Sequence, residues 1–174
     1  MYKRQGLRIQ SHYLNTTGST ISAHVEVVFH LAQAGTVQNQ AGVLFVVDPK
    51  FAIQPNSSAL VVDDCTLPVD MNILRANSHM HRHGTNFVAS VAGSQVYQTT
   101  AWSEPKPALF SPPQAFHAGD PLHFACSFTN NSASTLTFGE SALTNEMCIF
   151  TASFYPVPAG QATLDASNCK MTQQ

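Results

Sequence analysis

The spacing of strand and turn signals constrains this fold most. His24-Val25-Glu26-Val27-Val28-Phe29-His30-Leu31 is β-branched and roughly alternating, and Gly42-Val43-Leu44-Phe45-Val46-Val47 reads as a buried strand. Similar runs occupy 59–62, 71–81, 86–91, 95–100, 121–128 and 148–155. Turn formers separate them: Asn15-Thr16-Thr17-Gly18-Ser19, Asp48-Pro49, Pro55-Asn56-Ser57-Ser58, Ala92-Gly93-Ser94 and Asn130-Asn131-Ser132. Successive strand side chains point to opposite faces, so short alternating runs between such turns describe an all-β sandwich or jelly roll. Helical periodicity is nowhere sustained over three turns. With 174 residues, 44% of them hydrophobic, no internal repeat and no separating linker, the expectation is one domain over 1–174. The Pro-rich piece from Pro105-Lys106-Pro107 to Pro112-Pro113 is expected to be a loop, and 170–174 a frayed tail.

Charged residues are only 10% of the chain, the formal net charge is −2, and no stretch gathers Lys and Arg. Nucleic acid and anionic membrane surfaces are therefore poor partners. No run reaches the roughly eighteen apolar residues that span a bilayer. The opening residues turn polar again at Arg8 and Gln10, unlike a signal peptide, so an exported protein is expected here as a mature form or an excised domain. Cys65, Cys126, Cys148 and Cys169 are widely spaced and contain no C-x-x-C, which removes zinc-knuckle and thioredoxin readings. Scattered cysteines in even number read as two disulfides, hence a secreted, extracellular or periplasmic protein; buried free thiols are the alternative. Asn-x-Ser/Thr triplets at Asn15, Asn56 and Asn130 fit secretion, although such triplets arise easily by chance.

Eight histidines equal the combined Lys and Arg count, a first pointer to metal chemistry. The richest segment is Asn77-Ser78-His79-Met80-His81-Arg82-His83-Gly84. On a strand His79 and His81 share a face and can converge on one ion; His83 joins them only if the strand continues past them, and Gly84 suggests an end or a bulge. H-x-H alone is a weak signal, and its bland reading is solvated or hydrogen-bonded histidines at a strand end. Thr144-Asn145-Glu146-Met147-Cys148 strengthens it. A strand there sends Met147 and Cys148 to opposite faces, so Cys148 can enter a disulfide while Met147 faces the histidines. A thioether is a soft ligand suited to Cu(I), although Met147 taken alone reads as a core methionine. His24, His30, His117 and His123 read as surface histidines, and Trp102 and the eleven phenylalanines as core. No G-x-S-x-G motif supports a hydrolase.

Together, the two segments and the four cysteines resemble the copper type II, ascorbate-dependent monooxygenases, the family of the peptidylglycine α-hydroxylating and dopamine β-monooxygenases. The H-x-H-x-x-G stretch of the family's C-terminal domain is matched by His79-Met80-His81-Arg82-His83-Gly84, and its Glu-Met-Cys by Glu146-Met147-Cys148 after the Phe138-Gly139 turn. Pro113-Gln114-Ala115-Phe116 and Gly119-Asp120-Pro121-Leu122, before Cys126, look like the family's connection between them. The likeness runs from about Leu7 to Cys169.

The resemblance implies an antiparallel jelly-roll β-sandwich, disulfides Cys65–Cys169 and Cys126–Cys148, and one copper held by His79, His81 and Met147, the catalytic residues at which oxygen is activated. Its partners would be molecular oxygen and a small organic substrate. Gln114, Glu146 and His83 are suggested as groups that orient the ligand rings. The family also has an N-terminal domain with a second copper, of which only Leu7-Arg8-Ile9-Gln10-Ser11-His12-Tyr13 has a counterpart, leaving His12 an orphaned ligand. Where the peptide-amidating member binds its substrate's carboxylate, this chain has Asn77, Ile149 and Thr151, which argues against peptide amidation. Hydroxylation takes two electrons from a reductant and one copper supplies one, so coupled turnover by this chain alone is doubtful. The alternative is a non-catalytic copper-binding, storage or carrier module; a sandwich with an incidental metal site is the third reading.

Overall fold

The computed structural model describes residues 9, 11, 13, 15–33, 35–47 and 49–174. They fall into two compact units, Met1–Val37 and Gln38–Gln174. In the first, the run 24–31 does not become a strand. It lies without regular structure, with Val28 64% and Leu31 74% exposed. Strand propensity reflects the fit of a side chain to a pleated, half-buried surface, and no strand pairs with this run among the described residues.

The second unit is built from twelve strands: β1 (Gly42–Val47), β2 (Ala52–Ile53), β3 (Ser57–Thr66), β4 (Met71–His79), β5 (Gly84–Val91), β6 (Ser94–Thr99), β7 (Ala108–Phe116), β8 (Pro121–Asn130), β9 (Leu136–Thr137), β10 (Ile149–Tyr155), β11 (Thr163–Leu164) and β12 (Ser167–Gln173). One five-stranded sheet has the order β11-β1-β10-β4-β7, the other β12-β3-β8-β5-β6, and β2 and β9 form a small third ladder. Pairing is antiparallel except between β1 and β11. The all-β sandwich expected from the sequence is formed.

Alternation fills the space between the sheets. Phe87 of β5 and Phe124 of β8 stack at 5.9 Å, and Phe150 of β10 reaches both from the opposite sheet, at 6.5 and 6.1 Å. All three are fully buried, and burying a side chain of that size contributes on the order of 2–3 kcal/mol. The expectation of an aromatic core is corrected at three places: Trp102, Phe29 and Phe45 are exposed. Phe45 and Val43 stand on the outer face of β1, which alternates rather than being buried on both sides.

Two further expectations are corrected. The Pro-rich loop is in part strand β7, with Pro112 and Pro113 inside it. β7 is the sheet edge, and its ladder with β4 is interrupted between Leu109 and Gln114, so neither proline is needed as a donor there. The supposed tail is β12, paired with β3 from Ser167↔Thr66 to Gln173↔Val61. The Gln173 side chain adds bonds of 3.0 and 2.7 Å to the Ala52 backbone, and Cys169 is bonded to Cys65. The second disulfide, Cys126–Cys148, joins β8 to the residue before β10 and so ties the two sheets together. Both pairings are those the resemblance implied.

Candidate metal centre

β4 ends at His79, two residues before the next histidine. Met80 then turns into the core, 1% exposed, and packs over Gly84, where a Cβ would meet its Cβ and Sδ at 2.8 Å. Gly84 N–H donates to His81 O at 3.0 Å, closing a turn over 81–84 from which β5 departs. The result places the His79 and His81 rings edge to face, with centroids 5.1 Å apart. The two predicted histidines are brought together, with His81 in the turn rather than on the strand.

His83 is not with them. Its Nδ1 lies 3.3 Å from Thr129 O on β8, and Arg82 Nε donates to its Nε2 at 3.2 Å. The ring is spent on the opposite sheet because β4 stops short of it.

Met147 lies two residues before β10, the strand beside β4. Ile149 is the Cα partner of His79 in the antiparallel β4–β10 ladder. Both strands end at that pair, so His81 and Met147 lie just beyond the same end of the β4–β10 ladder. Cys148 is buried in its disulfide, and Met147, one residue earlier, is half-buried. No three His, Cys, Asp or Glu side chains cluster as a metal site among the described residues.

One buried group links these segments. Glu146, 0% exposed, accepts from His83 N at 2.7 Å through Oε1, and from His81 N at 2.9 Å and Met147 N at 3.3 Å through Oε2. A carboxylate accepts several such bonds at once, and bonds to a charged acceptor are about twice as strong as neutral ones. Burial raises the Glu146 pKa, opposed by those amides and by the neighbouring His81. Glu146 therefore clamps backbone; it does not orient a ring nitrogen. That task falls to Asn145, whose carbonyl oxygen lies 3.0 Å from His81 Nδ1. With the proton assigned to Nδ1 by that contact, Nε2 is left as the free donor atom. Asn145 is itself packed against Gly139, where a Cβ would come within 2.5 Å of its side chain. Gln114 sits on β7 across from Ile73, about 20 Å along the sheet from His79 at ordinary strand rise, and takes no part here.

The chemistry suits a soft ion. Desolvation, and then the adjacent His81, lower the His79 pKa, which keeps that ring in the neutral, ligating form. Imidazole nitrogens and a thioether sulfur, taken together, are a donor set that would favour Cu(I) over hard oxygen-seeking cations. Beside the pair, a groove of about 230 Å³ is lined by Val43, Arg75, Asn77, Thr151, Ala152 and Ser153. Asn77 and Thr151 are Cα partners, and the Tyr97 hydroxyl lies 2.9 Å from both Asn77 Oδ1 and Lys106 O. Ile149, 5% exposed, does not line it.

A protein-family model described as copper type II ascorbate-dependent monooxygenase, C-terminal domain, matches residues 39–174. The chain belongs to that family. No curated protein matches it. The match begins beside the first residue of the second unit, so the copper monooxygenase domain and the sandwich are the same body. Its two disulfides are consistent with an oxidising, extracellular setting. Among the described residues no helix is long and apolar enough to cross a membrane. His12, the suggested ligand of a second copper, lies outside the described residues.

Proposed function

We propose that the domain holds one copper through His79, His81 and Met147 and serves as the oxygen-activating half of a monooxygenase that hydroxylates a C–H bond of a small organic substrate. The observation that carries this reading is the Glu146 clamp: one carboxylate binds the backbone of His81 and of Met147, so both ligand-bearing segments are fixed to each other. Copper bound there supplies one-electron redox chemistry and a coordination position for oxygen. The residues do the rest. Asn145 O holds the His81 ring, burial and the paired ring keep His79 neutral, and the groove beside His79 offers amide and hydroxyl groups from Asn77, Thr151 and Ser153, with Arg75 at its far end.

Titrating the reduced protein with Cu(I) and recording X-ray absorption tests the site. A sulfur scatterer beside imidazole nitrogens is expected, lost in Met147→Ala; a shell with no sulfur would reject Met147. Tight Cu(I) binding with no ascorbate-driven product from the whole enzyme would favour the second reading, a copper storage or carrier module.

A further inference from the structure

The three Asn-x-Ser/Thr triplets look alike in sequence, and the fold separates them. Asn130 closes β8 and is 0% exposed. Its Nδ2 donates to Gln54 O and Ser134 O at 2.9 Å and to Ile53 O at 3.1 Å. Its Oδ1 accepts from Ser132 N at 3.0 Å and from Ser132 Oγ at 2.7 Å, so the hydroxyl of the triplet is consumed as well. An amide nitrogen has two protons, and here three carbonyls share them. Exchanging one proton for a sugar would strand buried acceptors and require room that the site lacks. Asn130 is a structural brace between the 130–134 turn and the β2–β3 connection.

Asn56 has the opposite surroundings. It is exposed at the tip of the β2–β3 turn, at φ 51, a left-handed conformation that asparagine tolerates better than most residues. Its side chain makes no hydrogen bond among the described residues, while its backbone N–H is held by Ser132 O at 3.3 Å. Ser58, which completes the triplet, is also exposed, its Oγ making one long contact of 3.3 Å to Thr129 Oγ1 at the surface. Asn15 is exposed too, but its Nδ2 is bonded to Ser19 O at 2.8 Å within a local turn of the first unit.

We propose that Asn56 is an N-glycan acceptor of this chain and that Asn130 is not. In the transfer, Asn56 Nδ2 forms a bond to C1 of an oligosaccharide carried on a lipid pyrophosphate. The bond from C1 to the phosphate oxygen breaks and its electron pair leaves with the lipid pyrophosphate. One amide proton passes to a base of the transferase, and nothing is oxidised or reduced. The sugar would stand at the end of the sandwich that carries the histidine turn, since Thr129 pairs with Ser58 of β3 on one side and donates its N–H to His83 O of that turn on the other.

The test is to secrete the full chain from a eukaryotic cell line and release glycans with an amidase in heavy-oxygen water. Peptide mass mapping then reads Asn56 and Asn130 separately from Asn15. The expected result is an isotope-marked aspartate at 56 and an unmarked asparagine at 130. Asn56→Gln should remove one glycan's mass from the folded, secreted protein. An unmodified Asn56 in the secreted, folded chain overturns the proposal, and so does a marked residue at 130. Neither outcome depends on copper, so the assignment of the metal centre stands or falls separately.

Discussion

Glu146 shows at the scale of one residue how the candidate centre is held. Its carboxylate meets three backbone N–H groups, so Glu146→Gln would swap one accepting oxygen for an amide that has protons of its own to place. Losing a charged hydrogen bond and leaving a buried donor unpaired costs about 2–4 kcal/mol. We expect the variant to lose that much stability in urea unfolding of the copper-free protein, and to bind Cu(I) at least tenfold more weakly. Unchanged affinity in a folded variant would show that the clamp does not position the ligands. His79 gives a second prediction. Its pKa is lowered in the folded state, so the unfolded chain takes up a proton there that the folded chain resists. Stability from this group is complete above its ordinary value of 6.5 and declines as pH falls below it. Glu146 has the opposite sign: its raised pKa gives stability present below 4.5 and lost as pH rises through the folded value. Comparing wild type with His79→Asn across pH isolates the histidine: the variant should lack part of the decline below 6.5, and identical slopes would contradict this. His79, His81 and Met147 could be proposed as ligands from sequence because ligand chemistry is written in side-chain type. Glu146 was singled out but for the wrong task, and Asn145 was missed, because one binds backbone amides and the other acts through its own carbonyl, and neither contact leaves a pattern in sequence.

Elements were legible where alternation and partner agreed. β1 begins and ends where its run of apolar residues does, and β4 through β6 follow theirs closely. Two misreadings have the same origin, since a strand depends on what lies beside it. β7 survives its prolines because it is an edge, and 24–31 stays irregular despite its β-branched residues. β12 was missed for want of apolar residues; it is held by β3, by Gln173 and by a covalent bond. Cys65–Cys169 encloses 104 residues of sequence, and loops of that order are worth about 4–5 kcal/mol in the chain-entropy account. Cys65→Ser with Cys169→Ser should therefore lower the unfolding free energy by about 2–5 kcal/mol. Cu(I) affinity of the folded fraction should be nearly unchanged, because β12 and β3 lie in the sheet that carries none of the proposed ligands. A loss of affinity as large as the loss of stability would show that the second sheet supports the centre directly.

At the scale of the molecule, the sequence suggested one domain over 1–174; the chain forms two compact units that meet in sequence at residues 37 and 38, and the family match starts at 39. Every strand, both disulfides and the whole core from Leu44 to Leu164 lie after that division. The proposed ligands and the Glu146 clamp lie there as well. A body of that size with two cross-links and a continuous core meets the ordinary requirements for independent folding. The expectation is that 38–174, produced alone, unfolds in one cooperative transition. It should form both disulfides and bind Cu(I) within about twofold of the full chain, a difference under about 0.5 kcal/mol. Unfolding curves and a competitive Cu(I) titration on the two lengths check this side by side. If the shorter chain aggregates or loses its cooperative transition, the first 37 residues belong to the folding unit and the single-domain reading holds. If it folds but loses copper, something in those residues acts on the centre, and His79, His81 and Met147 would not be the complete set.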